Sequence, residues 1–487
     1  MRSPEILIVG AGMTGILLTI KLREAGINNI TVLEKAEKVG GTWRENRYPG
    51  VACDVPAHMY TYSFEHNPEW SDFFAKGAEI QQYFEKVADK YKVYEHIKFQ
   101  QEVSQAERKN GRWQVSCKSG ERYEADFLIH ATGILHHISL PDIAGINSFK
   151  GEMFHTARWN QDIDFKGKRV GVIGTGSTAA QFIPELVNAG AEVSIFQRTP
   201  QWLLSLGSKQ YSEADKAKMR RNPKIIQRIR KQAELGLEHI FTKAVTGQKL
   251  QGALLSWACK RYLRKSIKDP LLREKLTPDY KVGCKRVIIN NTFYEAIQKP
   301  NAKLVCEGIE NINEGGIKTK DGQQHDLDVI VLSTGFKPFN FMRPMELLGQ
   351  DGLHIDSAWK DKINCYRSLL VPKFPNMFLM LGPYTPIGNF SVIAMSEVQT
   401  NYILKLVKDW QEEKFDEFDV KKSAVDLFNQ RMKAGMKKTT WVGGCQSWYQ
   451  DADGDPILWP FTWKQWCEEM AQIDYKDLSL SRVNSNG

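Results

Sequence analysis

Three glycines, Gly10, Gly12 and Gly15, follow the apolar run "ILIV" (6–9) and open the segment "ILLTIKLREAG". A second set, Gly174 and Gly176 with Ala179 in the third place, follows "KRVGVI" (168–173) and opens "QFIPELVNAG". Glycines at this spacing let a backbone approach a pyrophosphate closely, and the start of the following helix stabilises its negative charge. The chemistry on offer is dinucleotide binding, twice. A bare G-x-G-x-x-G says little, but strand, glycines, helix, second strand and terminal acid in that order say much more. In the first unit "ITVLE" ends in Glu34, nineteen residues after Gly15 and placed to accept ribose hydroxyls. In the second, "EVSIFQRT" ends in Gln197, Arg198 and Thr199. A carboxylate there would repel a 2′-phosphate, whereas a guanidinium beside a hydroxyl grips one. The first unit thus predicts FAD and the second NADPH. The plain alternatives are a ligand-free tight turn at the first and an ordinary surface arginine at the second.

The elements that must carry these loops read as two α/β, Rossmann-like domains, one inserted in the other. "ILIV" is a buried parallel strand, and "ILLTIKLREAG" reads as an amphipathic helix ending at Gly26. "ADFLIHATG" (125–133) and "LDVIVLSTG" (327–335) are each an apolar strand followed by a small residue, threonine and glycine. They mark chain crossings after each nucleotide unit, where glycine permits close backbone approach. The expected division is residues 1–140 for the first part of the FAD domain and 141–335 for the NADP domain. Residues 336–487 then complete the FAD domain and add a C-terminal lid. Residues of about 205–280 show helical periodicity without strand signals and read as a helical insertion capping the second domain. The polar tail "KDLSLSRVNSNG" is expected to fray.

At 487 residues, 42% hydrophobic and 25% charged, the chain has the composition of a multidomain globular protein. Its net charge of +9 gathers largely in residues 209–232, a solvated helical face rather than a nucleic-acid site. The eight cysteines are scattered, with no C-x-x-C pair, so neither a metal site nor a dithiol centre is expected and a reducing, cytoplasmic compartment fits. The apolar N-terminal stretch lacks a basic leader and a cleavage site, and is too short and glycine-rich for a membrane span.

Between the glycine motifs lies "FKGEMFHTARWN" (149–160). Its Phe149, Gly151, His155 and Trp159 fall on the fingerprint F-x-G-x-x-x-H-x-x-x-W of the type I Baeyer–Villiger monooxygenases, a branch of the class B flavoprotein monooxygenases. The chain resembles that family over roughly residues 5–205 and 280–400. The last fingerprint position is Asn160, where the family has proline or aspartate. The resemblance implies an FAD-containing, NADPH-dependent enzyme that inserts one atom of O2 beside a ketone carbonyl through a peroxide at flavin C4a. It also implies that the fingerprint is a hinge between the two domains, with His155 changing hydrogen-bond partners as the cofactors move. A loop histidine satisfied by backbone is the alternative for His155, and core packing for Trp159.

The same resemblance supplies the remaining site residues. "GCKRVIINNTFYEAI" (283–297) makes Arg286 the fixed positive charge at the reacting oxygens and Lys285 a second ligand for the 2′-phosphate. "YPGVACDVP" (48–56) makes Asp54 the carboxylate that orients Arg286. Gly41, Thr42 and Trp43 fall near the flavin diphosphate and ring, Tyr60 near the ring, and Val103 at the adenine. Ser177, Thr178 and Gln181 line the NADP pyrophosphate and ribose, and residues 382–397 skirt the isoalloxazine. Residues 446–466 stand where the family has a mobile lid, with Trp448 and Tyr449 as its candidate aromatics. Trp459, Phe461, Trp463 and Trp466 read as packing.

Three other readings compete. An N- or S-oxygenating relative would not need Arg286, a disulfide reductase would need a C-x-x-C, and a non-catalytic FAD- and NADPH-binding module would consume no ketone. The partners expected are a small ketone and O2, with no nucleic acid, and the chain is expected to be a monomer or weak homo-oligomer.

Overall fold

The structure is a computed structural model and describes residues 2–388, 390–451 and 453–482. Two five-stranded parallel sheets form its frame. The first runs in the order Met377–Leu379, Phe127–His130, Ile6–Val9, Ile30–Leu33, Ile97–Lys98. The second, written in the matching direction, runs Glu152–His155, Val329–Leu332, Arg169–Ile173, Glu192–Phe196, Ala302–Val305. The central strand of each precedes its glycine motif, and Ile6–Val9 is buried along its whole length, as a parallel strand covered on both faces must be.

The duplication extends to the satellites. In the first unit an antiparallel meander (Val103–Lys109, Arg112–Cys117, Arg122–Ala125) separates the edge strand from Phe127–His130. In the second a smaller meander (Ile309–Asn313, Gly316–Thr319, Gln324–Asp326) separates Ala302–Val305 from Val329–Leu332 in the same way. The helices Glu213–Arg221, Lys224–Gly236, Lys249–Ser266 and Pro270–Lys275 lie between the strands Glu192–Phe196 and Ala302–Val305.

The chain passes between the sheets through two connections held side by side. Ile138 and Phe336 form an antiparallel bridge, Lys337 N–H donates to the His137 carbonyl at 2.7 Å, and Ser139 N–H donates to the Gly335 carbonyl at 2.9 Å. Gly335 has φ +79°, a conformation that favours glycine. The first sheet recovers its outer strand only at Met377–Leu379, after which the long helix Val392–Gln411 packs on the first glycine helix.

Three expectations are corrected. The first glycine helix, Met13–Glu24, is not amphipathic: Thr14 to Ile20 and Leu22 are all buried. It lies between its own sheet and Val392–Gln411, with the Thr14 and Ser396 hydroxyls 3.0 Å apart, so it has no solvent face to mark. It does end at Gly26 as expected: after Glu24 and Ala25, Gly26 turns left-handed (φ +82°) and Ile27 N–H donates back to the Leu22 carbonyl at 3.0 Å. The tail does not fray throughout, because Leu478–Ser481 pairs antiparallel with Glu417–Val420 and buries Leu478; residues 483–487 lie outside the described residues. The cysteines are not all single either. Cys284 and Cys445, 161 residues apart, are joined by a disulfide, which no local spacing could announce. It ties the segment carrying Lys285 and Arg286 to the start of the C-terminal segment, and removing it costs about 2–4 kcal/mol by freeing a long loop. Replacing both cysteines by serine, or adding reductant, is therefore expected to lower the thermal midpoint; an unchanged midpoint would show that the bond contributes nothing.

Candidate functional site

The first glycine loop is built so tightly that its residue types are forced. Gly10 has φ +106°, and a Cβ there would lie 2.6 Å from the Ala131 carbonyl oxygen; one on Gly15 would lie 2.0 Å from that of Gly10. Gly12 and Gly41 face each other backbone to backbone, a Cβ on Gly41 reaching 3.2 Å from the Gly12 Cα. Glu34, at the end of its strand and buried, accepts from Ala11 N–H at 2.8 Å and from Ala36 N–H at 3.0 Å. Arg44 pairs with it at 3.0 Å, a contact that sequence reasoning missed although Arg44 directly follows Trp43. Thr42 begins the short helix after Gly41. Trp43 Nε1–H donates to the Tyr60 hydroxyl at 3.1 Å, the rings meeting edge to face at 5.5 Å. Val103 is buried at the start of its strand, and Gln101 N–H just before it donates to the Glu34 carbonyl at 2.9 Å. The FAD-assigned residues thus surround one loop, with narrow backbone clefts where a diphosphate fits.

The second loop repeats the design with more room. Gly174 has φ +106° against the Ser333 carbonyl, whereas a Cβ on Gly176 would meet nothing within 4 Å. Ser177 and Thr178 are the first residues of the helix Ser177–Asn188, whose N-terminus has no side-chain cap. That leaves helix-start N–H groups for an anion. Thr199 gives its carbonyl to the Thr175 hydroxyl at 3.2 Å. Arg198 is exposed and makes no ion pair among the described residues. Lys285 lies over the Tyr280 ring at 5.0 Å, and its pKa is pushed down by burial and by the charge of Arg198. The two cations repel each other, and the Asp279 carboxylate only partly offsets this at Lys285.

Gln181 has partners inside the protein: its Oε1 accepts from the Tyr48 hydroxyl at 3.0 Å and its Nε2 donates to the Ala52 carbonyl at 3.0 Å, leaving one amide N–H. Gly50 fits against the Gln181 backbone, where a Cβ would come within 2.7 Å of its carbonyl oxygen. Gln181 therefore seats the 48–54 loop of the first unit on the second unit's helix.

That loop delivers Asp54 to Arg286. The guanidinium donates from Nε to one carboxylate oxygen at 2.8 Å and from Nη2 to the other at 2.6 Å, while Nη1 reaches the Ile387 carbonyl at 3.4 Å. Burial disfavours the charge on Arg286, but Asp54 outweighs it and holds the arginine firmly cationic. The 382–397 segment thus comes to the same place; its Asn389 lies outside the described residues.

The fingerprint divides into packing and linkage. Trp159 is buried against Phe154, Phe165 and Phe182 and is a core residue. Gly151 has no room for a side chain: a Cβ there would come within 3 Å of both the Phe149 ring and the Asp328 carbonyl oxygen. His155 Nδ1 accepts from Ala157 N–H at 3.1 Å, so Nε2 carries the proton and donates to the Gly335 carbonyl at 3.1 Å. Burial lowers its pKa, keeping the ring neutral in this arrangement. The acceptor is the same carbonyl that binds Ser139, so His155 is fastened to both inter-sheet connections at once. Asn160 Oδ1 accepts from Asp162 N–H at 3.0 Å, a turn contact that an aspartate would make equally well, so the departure from the family pattern is conservative.

In the C-terminal segment Trp448 is exposed and Tyr449 is 1% exposed. Trp459 and Trp466 are buried, and Trp463 stacks on Phe390 at 3.9 Å, which agrees with packing. Among the described residues no helix is long and apolar enough to cross a membrane.

The flavin-binding monooxygenase-like family matches residues 3–447. A monooxygenase of Mycobacterium tuberculosis is 41% identical over 481 residues, covering 99% of this chain and 97% of its own. A Baeyer–Villiger monooxygenase of Streptomyces coelicolor is 36% identical over 483 residues, covering 98% and 93%. The crystal structure of OTEMO in complex with FAD and NADP superposes with a TM-score of 0.88 at 28% identity, covering 99% of this chain and 100% of that one. The chain belongs to the flavin-binding monooxygenase-like family, as an FAD- and NADPH-dependent monooxygenase of the Baeyer–Villiger type.

Proposed function

We propose that the substrate is a small ketone, oxidised with O2 and one NADPH to an ester or lactone, NADP and water. The bidentate Asp54–Arg286 pair carries this reading, because it fixes a cation where the two nucleotide units meet. Bound FAD supplies the redox chemistry that passes electrons from NADPH to oxygen. Arg286 holds negative charge on the reacting oxygens, and Asp54 keeps the guanidinium plane in place. Arg198 and Lys285 grip the 2′-phosphate beside Thr199, while Ser177 and Thr178 present helix-start N–H groups to the pyrophosphate. Gly10, Gly12, Gly15, Glu34, Gly41, Thr42 and Val103 hold the adenosine and diphosphate of FAD, and Trp43 with Tyr60 walls its ring.

The two sheets divide the work, with residues 1–140 and 336–487 serving FAD and 141–335 serving NADP. His155 acts at the hinge, where its Gly335 bond joins both connections. The enzyme works in the cytoplasm as a monomer or weak homo-oligomer; its six unpaired cysteines favour that compartment, and the Cys284–Cys445 bond counts against it.

Arg286→Ala is expected to lower ester formation by on the order of 10²–10³-fold. Flavin reduction by NADPH should persist, and mass analysis of products from cyclic, aromatic and aliphatic ketones reads the outcome. Unchanged ketone oxidation would overturn the assignment. Arg198→Ala and Lys285→Ala should each raise KM for NADPH about tenfold or more, the worth of one charge-assisted hydrogen bond, and barely alter KM for NADH. An equal loss with both coenzymes would show that these cations do not read the phosphate.

A further inference from the structure

Tyr449 lies in the C-terminal segment, far in sequence from every residue discussed for the reaction. Its side chain is packed with Val245, Met436, Trp441 and Leu458. Its Oη is buried within reach of the Arg286 guanidinium, which only donates, and no acceptor among the described residues meets its O–H. Leaving a buried hydroxyl unpaired costs about 1–3 kcal/mol, so folded proteins rarely do it without a use.

The phenol is also fixed in place and aimed. The Tyr449 carbonyl accepts from Ile457 N–H at 3.0 Å, and the Ile457 carbonyl accepts from Tyr384 N–H at 2.9 Å, which locks the turn to the 382–388 loop. The Cys284–Cys445 bond fastens the start of the same segment two residues before Arg286. Gly388 packs beside the ring: a Cβ there would crowd Leu458 at 3.0 Å and would lie at ordinary contact distance, 3.5 Å, from the Tyr449 Cζ that bears the hydroxyl. The residue before it, Ile387, is the one whose carbonyl Arg286 reaches. Hydroxyl and guanidinium therefore meet at the same short piece of backbone. Burial pushes the pKa of the phenol up, against the pull of the neighbouring Arg286 guanidinium, and the Asp54 charge acts in the same sense as burial. A phenol in that state donates a hydrogen bond without surrendering its proton.

Arg286 has donors left over. Of its five N–H groups, Nε and one on Nη2 serve Asp54 and one on Nη1 serves Ile387, leaving one on each terminal nitrogen. Ile134, Leu381 and Ile387 line the largely apolar cavity that Tyr449 and Trp448 also wall.

We propose that Tyr449 is a further catalytic residue of the ketone oxidation, its O–H and a spare N–H of Arg286 converging on the substrate's carbonyl oxygen. As the attacking oxygen forms its bond to carbon, the carbonyl π pair moves onto the ketone oxygen, where both donors hold it. The pair returns when the neighbouring carbon migrates with its bonding electrons and the O–O bond breaks. No proton leaves Tyr449. The inference rests on the role proposed for Arg286.

The test is Tyr449→Phe in the full-length, FAD-loaded enzyme, with cyclohexanone, acetophenone and 2-octanone as ketones and methyl phenyl sulfide as a substrate lacking a carbonyl. The expected result is a fall in kcat for ketones on the order of 10²-fold, as for loss of one oxyanion donor, with KM for ketone and NADPH within about threefold. Sulfide oxidation and the rate of flavin reduction should stay at wild-type values, and the thermal midpoint should hold or rise, since a buried hydroxyl without an acceptor is removed. Ketone kcat within twofold of wild type would overturn the proposal, as would a parallel loss of sulfide oxidation, flavin reduction or thermal midpoint, which would mark a structural residue. Arg286→Ala, run alongside, separates the two readings: if it keeps full ketone oxidation the site assignment itself fails, and if it alone is inactive only the Tyr449 role fails.

Discussion

An arginine with its side chain 28% exposed and its guanidinium turned toward the Ile387 carbonyl loses part of its hydration, and Asp54 is what makes that position tenable. The two parallel hydrogen bonds, 2.8 and 2.6 Å long, offset the desolvation of both partners and fix the plane of the arginine. Neither residue belongs to the other's unit. Asp54 comes from the loop after the first glycine helix, and Arg286 from the segment preceding the last strand of the second sheet. The charged pair therefore exists only when the two nucleotide units are docked, and the docking contacts become part of the chemistry.

Those contacts are few and specific. Gln181 binds Tyr48 and Ala52 through its amide, and Gly50 is small enough to lie on the same helix. At the opposite side the two connections run antiparallel, with Gly335 accepting from both Ser139 and His155. A relative movement of the sheets would have to exchange these bonds, which places the fingerprint histidine at the pivot rather than at the reacting atoms. The Cys284–Cys445 bond adds a third restraint, from the arginine segment to the chain that covers it.

What the sequence announced was local. Gly10, Gly15 and Gly174 are glycine because backbone carbonyls stand where a Cβ would go, and such demands leave a short motif. The exchange of Glu34 for Gln197, Arg198 and Thr199 at matching strand ends is equally local, as is the run from Gly283 to Arg286. What escaped notice was set by distant partners. The first glycine helix hides its only possible polar face under Val392–Gln411, so its pattern misled. Cys284 finds Cys445 across 161 residues, and the tail finds Glu417–Val420 through backbone bonds that do not depend on side-chain type. Gln181 reads as a nucleotide contact, and its bonds to Tyr48 and Ala52 across the two units were not legible from its position. Tyr449 reads from the sequence only as a candidate lid aromatic; its burial and its neighbours are what point to the reaction.

The central claim is geometric, and a crystal structure of the enzyme with FAD and NADP bound tests it most directly. The account predicts the Arg286 guanidinium facing the reactive edge of the isoalloxazine with both bonds to Asp54 intact. An Arg286 turned away from the flavin, with Asp54 bonded elsewhere and no room for the side chain to swing inward, would contradict it.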